Sequence, residues 1–204
     1  MSRRQTRRST DEAPSAPATP EQMEHAAREM CLRMLTLQPR TRKELADGLR
    51  RRGISDEVAD SVLDRFGDVG LVDDAAFAKA WVTSRHRGRG LARRALAHEL
   101  HRRGVDHDSV SAAVDQIDPE DELAAARELV RRRLPAMQHL APQARTRRLL
   151  GMLARRGYGA GTAMTAIREI EADEAADLLV DGADGARGLD DEGSSAFNED
   201  AGGD

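Results

Sequence analysis

The sequence predicts an all-α protein built from three tandem three-helix repeats, and three observations carry that prediction. The tripeptide Arg-Arg-Gly occurs at 51–53, 102–104 and 155–157. Each copy sits in the same apolar frame. Leu45 and Leu49, Leu96 and Leu100, and Leu149 and Leu153 lie eight and four residues before the glycine. Ile54, Val105 and Tyr158 follow it directly, and Leu63, Val114 and Ile167 lie ten residues after it. Agreement in register at three glycines marks an internal repeat. Finally, helix-start signals recur at matching places, and no segment shows the alternation of a strand. The chain of 204 residues has only five aromatic rings, Phe66, Phe77, Trp81, Tyr158 and Phe197, so a core must come from Leu, Val, Ala, Met and Ile.

The first helix opens at Thr19-Pro20-Glu21, a capping threonine with proline in the first turn. Ala27, Met30, Met34 and Leu35 share one of its faces. Thr41-Arg42-Lys43-Glu44 is a capping box for a second helix. That helix carries the Leu45/Leu49 stripe and must stop at Gly53, because glycine enters the left-handed conformation without a Cβ penalty. Ile54 would then touch Leu49, the contact that accompanies such a stop. Ser55 caps a third helix through Leu63. In the second triplet Asp73 or Asp74 opens a helix through Phe77, Trp81 and Val82; the Leu96/Leu100 helix stops at Gly104, and Asp106 caps the next. In the third, Asp118-Pro119-Glu120 opens a helix through Leu123, Leu129 and Leu134; the Leu149/Leu153 helix stops at Gly157, and Gly159 caps the last. A triplet is too small to bury a core well alone, so neighbours should stack.

This gives five segments: a disordered basic, proline-rich arm at 1–18, repeats at 19–70, 71–117 and 118–182, and a disordered acidic tail at 183–204. Both ends lack the apolar periodicity that folding needs.

Other classes find little support. The apolar runs are too short to span a bilayer, and Met1-Ser2-Arg3-Arg4 does not lead into an apolar stretch, so a cytoplasmic protein without a membrane partner is expected. Cys31 is alone and reads as a small buried residue. Gly67 to Asp74 reads as a glycine loop, two core residues, Leu71 and Val72, and a helix cap, rather than an acidic metal site. His98-Glu99-Leu100-His101 lacks the spacing of a zinc helix, and Leu100 belongs to the core stripe. Gly157-Tyr158-Gly159-Ala160-Gly161 lacks the Lys-Ser/Thr ending of a phosphate loop. No nucleophile–base pairing can be argued. The expectation is no enzyme, no cofactor, no metal and no small-molecule substrate.

Charge is uneven. Residues 171–204 carry 12 acids and one base, whereas 21–170 carry 27 bases and 22 acids, against a formal total of -4. A basic body with an acidic tail suits a polyanionic partner. Residues 85–103 concentrate Arg85, Arg87, Arg89, Arg93, Arg94, Arg102 and Arg103 against the single acid Glu99. Gly88 and Gly90 mark a mobile loop within this run. It is either a solvated face or a contact for phosphates or an acidic protein surface, and arginine favours bidentate contact with either. Arg131, Arg132 and Arg133, and Arg145, Arg147 and Arg148, are the fallback clusters.

From Ala26 to Ile170 the chain resembles the RecX family. The resemblance rests on Gly70-Leu71-Val72-Asp73-Asp74-Ala75-Ala76-Phe77-Ala78, on Arg87-Gly88-Arg89-Gly90 leading to Glu99-Leu100 and Arg102-Arg103-Gly104-Val105, and on Leu153-Ala154-Arg155-Arg156-Gly157-Tyr158. It implies three tandem three-helix units in an elongated, curved array. It also implies a regulator that binds the RecA recombinase filament on single-stranded DNA, inhibits its ATPase, strand-exchange and coprotease activities, and restrains recombination and the SOS response. The alternative is a tandem helix-turn-helix nucleic-acid-binding protein acting without RecA.

Overall fold

A computed structural model describes residues 19–187, with side chains as far as Asp177. Among the described residues there are nine α-helices, one 3-10 turn at Pro135–Met137 and no strand. The helices are α1 (Pro20–Leu37), α2 (Arg42–Arg50), α3 (Asp56–Asp68), α4 (Asp74–Arg89), α5 (Arg93–Arg102), α6 (His107–Val114), α7 (Pro119–Arg133), α8 (Pro142–Arg155) and α9 (Ala160–Arg187). None is long and apolar enough to cross a membrane.

The starts follow the capping chemistry. Thr19 and Thr41 form capping boxes with Gln22 and Glu44, and Ser55 accepts from the Val58 N–H. Asp73 caps α4 by accepting the Ala76 N–H at 2.8 Å, and Asp106 caps α6 through Ser109 at 2.9 Å. Asp118 precedes α7 without a side-chain cap bond.

The stops are equally regular. Gly53, Gly104 and Gly157 have φ of 80°, 85° and 92°. In each case the residue after the glycine donates its N–H to the leucine carbonyl five positions back: Ile54 to Leu49, Val105 to Leu100, Tyr158 to Leu153. The glycine N–H donates three positions back. This is the Schellman pattern, which satisfies carbonyls a helix end leaves open. Gly70, with φ of 71°, ends α3 the same way.

Three expectations need correction. Arg85 to Arg89 form the last turn of α4 rather than a mobile loop. A glycine inside a helix costs only ~1 kcal/mol, and the basic residues at 86, 87 and 89 sit where the helix dipole favours cations. The stop falls at Gly90, which has φ of 59°. Leu71 is 51% exposed, so Val72 alone fills the core after Gly70. Finally, α9 continues to Arg187, past the expected end at 182. Alanine, leucine and glutamate between 171 and 180 are good helix formers and outweigh Gly182 and Gly185. The arm at 1–18 and the rest of the acidic tail lie outside the described residues.

Packing gathers the described residues into two compact units. One holds those up to Thr83 together with Ala97–Val114; the other holds Ser84–Leu96 together with those from Asp115 onward. In the first, α1 and α2 pack on α3 around Cys31, Leu45, Leu49, Leu63 and Phe66. Burial pushes the Cys31 thiol up to about 11, which leaves it an inert core residue. In the second, α7 and α8 pack on α9 around Leu129, Leu134, Leu149, Leu153, Tyr158 and Ile167.

Each unit contains one junction between successive triplets, and the two junctions share a grammar. In the first unit the fully buried Thr41 donates its hydroxyl to the Arg103 carbonyl at 2.7 Å. The next N–H, that of Arg42, donates to Asp74 at 2.8 Å. In the second unit the Ala92 N–H donates to the Arg156 carbonyl at 2.9 Å, and the Arg93 N–H donates to Glu122 at 2.8 Å. Thr41 and Ala92 each lie twelve residues before their repeat glycine, and Arg42 and Arg93 eleven before. So the glycine turn of one triplet and an acid from its first helix together satisfy donors at the N-terminus of the preceding middle helix. That settles Asp73 against Asp74: the first caps its own helix, the second caps its neighbour's.

Candidate nucleic-acid interface

The seven arginines singled out by sequence do not share one environment. Arg102 and Arg103 fall in the first unit and the other five in the second. Arg103 is a packing residue. Its guanidinium lies 3.8 Å from the centroid of the Trp81 ring and pairs with Glu44. Trp81 stacks on Phe77 at 5.6 Å and donates its indole N–H to Glu99 at 2.9 Å. Glu99, the lone acid of the run, is therefore also a structural group. Arg102 next door is exposed.

In the second unit, Arg93 holds Glu122 through its N–H and, more loosely, its side chain at 3.6 Å. Arg85 is half-buried and partnered. Arg94 is exposed. Arg87 and Arg89 are exposed on the last turn of α4, held from below by two contacts. Arg156 donates a guanidinium N–H to the Arg89 carbonyl. The buried Tyr158 hydroxyl donates to the Gly90 carbonyl at 3.1 Å. Burial, assisted by the charge of Glu122, pushes the Tyr158 phenol up to about 12, so it stays a donor at neutral pH.

The same unit reveals a surface that no single run in the sequence announces. Three depressions adjoin one another. The first, of about 310 Å³, is lined by Arg87 and Arg132 but also by Asp121 and Glu128. The second, of about 340 Å³, is lined by Arg89, Arg132 and Arg156 with Gly88, Leu91 and Leu129. The third, of about 580 Å³, is lined by Arg133, Arg147, Arg148, Arg155 and Arg156 with Met137, Gly151 and Met152. Arg132 joins the first to the second, and Arg156 joins the second to the third. No acid lines the second or third. Among the described residues no carboxylate pairs with Arg147, Arg148 or Arg155, whereas Arg127 and Arg145 are neutralised by Glu169 and Glu171 at 2.5 and 3.1 Å.

Such a strip offers planar guanidinium donors to an anion with spaced negative groups. Among the described residues no three His, Cys, Asp or Glu side chains cluster as metal ligands. The fallback clusters divide here. Arg133, Arg147 and Arg148 line the strip without a paired acid, Arg132 lines it while paired with Glu128 at 3.2 Å, and Arg131 and Arg145 are taken up by ion pairs with Glu128 and Glu171. Arg155 and Arg156 were legible only as part of the repeat. The signal for Arg156 was its equivalence to Arg103, which turned out to do a different job.

Comparison with known proteins agrees with the repeat. Family models for the first, second and third three-helix domains of RecX match residues 27–66, 73–114 and 120–167. The chain is 61% identical over 159 residues to the regulatory protein RecX of Thermobifida fusca, covering 78% of this chain and 86% of that one. It is 54% identical over 151 residues to the regulatory protein RecX of Streptomyces lividans, covering 74% and 80%. A crystal structure of RecX from Lactobacillus salivarius superposes with a TM-score of 0.69 at 19% identity, over 74% of this chain and 97% of the other.

Proposed function

This chain belongs to the RecX family, and from that premise we propose that it binds the RecA filament on single-stranded DNA and restrains recombination, filament ATPase and coprotease activity, and so the SOS response. The observation that supports this most is the acid-free arginine strip of the second unit, from Arg89 through Arg156 to Arg147 and Arg148. Guanidinium groups on packed helices can meet phosphates, or carboxylates of a protein surface, with little ordering cost. Arg87 and Arg89 belong to this contact, and their position on a fixed helical turn makes it a preformed one. Arg94, exposed in the same unit, extends the set, and Arg102 is a separate exposed candidate in the first unit, while Arg85 and Arg93 support the fold of the second unit and Arg103 that of the first.

The test is RecA ATPase on single-stranded DNA with and without the protein. Inhibition that weakens when Arg89, Arg147 and Arg148 are changed to alanine supports the reading. A plain nucleic-acid binder would bind the same DNA and leave the ATPase untouched beyond simple competition for the strand.

A further inference from the structure

We infer that the third depression is also the seat of the chain's own acidic terminal segment, which competes there with the nucleic acid or filament. This rests on the reading that the strip takes polyanions. Residues 188–204 lie outside the described residues and carry six acids and no base. Their last part, Phe197-Asn198-Glu199-Asp200 through Asp204, combines acids with the one aromatic ring of the segment. The depression offers the complement: five arginines without a paired acid on their side, and Met137 and Met152, whose thioethers suit an aromatic ring.

Reach decides which part of the segment can arrive. The Arg145–Glu171 pair, at 3.1 Å, fixes where the start of α8 lies along α9. From that level to Arg187 is sixteen helical residues, roughly 24 Å at 1.5 Å each. Residues 190–192, within ~16 Å of Arg187 even when extended, fall short on the way back. Phe197 reaches ~33 Å, enough for the level of Arg147 and Arg148, and residue 204 ~56 Å, enough for Met152 and Arg155 further along α8. The pattern is already begun in the described residues, where Glu169 and Glu171 of α9 occupy Arg127 and Arg145. The Arg127 guanidinium holds the Glu169 carboxyl below its usual range.

A tethered segment acts at an effective concentration of about 1 mM. If the free peptide binds with a Kd near ~0.1 mM, the tether weakens binding of a competitor about tenfold. Oligo(dT) binding should be compared between the full chain, a chain ending at Arg187, and two full-length variants. One neutralises the distal acids (Glu199→Gln, Asp200→Asn, Asp204→Asn); the other neutralises the proximal ones (Asp190→Asn, Asp191→Asn, Glu192→Gln). Truncation and distal neutralisation should each tighten binding about tenfold at low salt, with the gain shrinking as salt screens the contact. Proximal neutralisation should do little. A peptide of residues 188–204 should bind the truncated chain, less well after Phe197→Ala, and lose binding when Arg147, Arg148 and Arg155 of the protein are changed to alanine. Equal effects of the two neutralisations, or peptide binding that survives loss of those arginines, overturns the inference. If no form binds oligo(dT), the reading of the strip as a nucleic-acid contact fails, and the peptide measurement alone still decides this one.

Discussion

Changing Gly157 to alanine should be among the most damaging single-methyl additions in the protein, and changing Gly53 to alanine a mild one, although both sit in the same tripeptide. Both residues have positive φ, 92° and 80°, so alanine at either pays the left-handed penalty of about 1 kcal/mol. There the likeness stops. Among the described residues a Cβ on Gly53 meets nothing within 4 Å. A Cβ on Gly157 would lie 2.5 Å from the Ala95 backbone nitrogen and 2.6 Å from its Cβ. Backbone cannot swing aside as a side chain can, so α5 and the turn must separate. Overpacking of that kind costs about 1–3 kcal/mol. Separation also threatens the Ala92 to Arg156 hydrogen bond, worth about 1 kcal/mol. The expected losses are therefore ~1 kcal/mol for Gly53→Ala and ~3–5 kcal/mol for Gly157→Ala. Gly104 falls between, since its Cβ would overlap carbons of Lys43, a side chain that is 54% exposed and can yield in part. Gly104→Val should still cost 1 kcal/mol or more. Urea denaturation followed by circular dichroism gives all three. Equal losses at 53 and 157 would refute the argument that the glycines serve the junction as well as the helix stop.

Other outcomes follow from the same contacts. Arg103→Ala should lose about 1–3 kcal/mol and shift the emission of Trp81, the only tryptophan, whereas Arg102→Ala should stay within ~0.5 kcal/mol. Arg87→Ala with Arg89→Ala should leave the denaturation midpoint unchanged but reduce the log–log salt slope of DNA binding by ~0.9 for each phosphate lost; an unchanged slope would move the contact elsewhere. Burial, with Asp106 nearby, raises the Asp74 carboxyl above its usual value despite the Arg42 N–H. A raised folded pKa favours folding below the unfolded value and loses that contribution as pH rises through the folded one. Asp74→Asn keeps an oxygen for the Arg42 N–H, so at pH 7 it should be no less stable than the parent, and that relative advantage should shrink near pH 3; destabilisation at pH 7 would contradict this.

The sequence made the repeat legible because its signals are local. Thr41 with Glu44, Ser55 and the glycines each act on backbone groups within a few residues, and local rules describe such bonds completely. The candidate site was less legible because it is assembled across helices. Charge density along the chain pointed to residues 85–103, yet Arg103 is spent on Trp81 and Glu44, and Arg93 on Glu122. Arg147, Arg148 and Arg155 stand in the open because their helix faces carry no acid, a property of neighbours in space rather than in sequence. The mobile loop at Gly88 failed for a different reason. Glycine weakens a helix only modestly, and the contacts that fix the end of α4, from Arg156 and Tyr158, come from residues 67 and 68 positions away.

The junction grammar also distinguishes the third middle helix from the other two. A following triplet docked in the same way would need an N–H at the first helical position, the donor that Arg42 gives to Asp74 and Arg93 gives to Glu122. In α8 the register equivalent, eleven residues before Gly157, is Thr146, which lies inside the helix, and the first helical position is Pro142, which has no N–H; the preceding Ala141 makes no side-chain cap bond. Among the described residues nothing lies within 4 Å of a Cβ on Gly53, whereas Gly104 and Gly157 face a helix. Among the described residues, then, the start of α8 offers no N–H at its first position and the Gly53 turn meets no helix. The first can be reversed: Pro142→Ser restores both an N–H and a capping hydroxyl near the start of α8. With no described segment docked on the start of α8, that substitution should change stability by less than ~0.5 kcal/mol. A loss of 2 kcal/mol or more would mean that the proline ring itself packs against the unit.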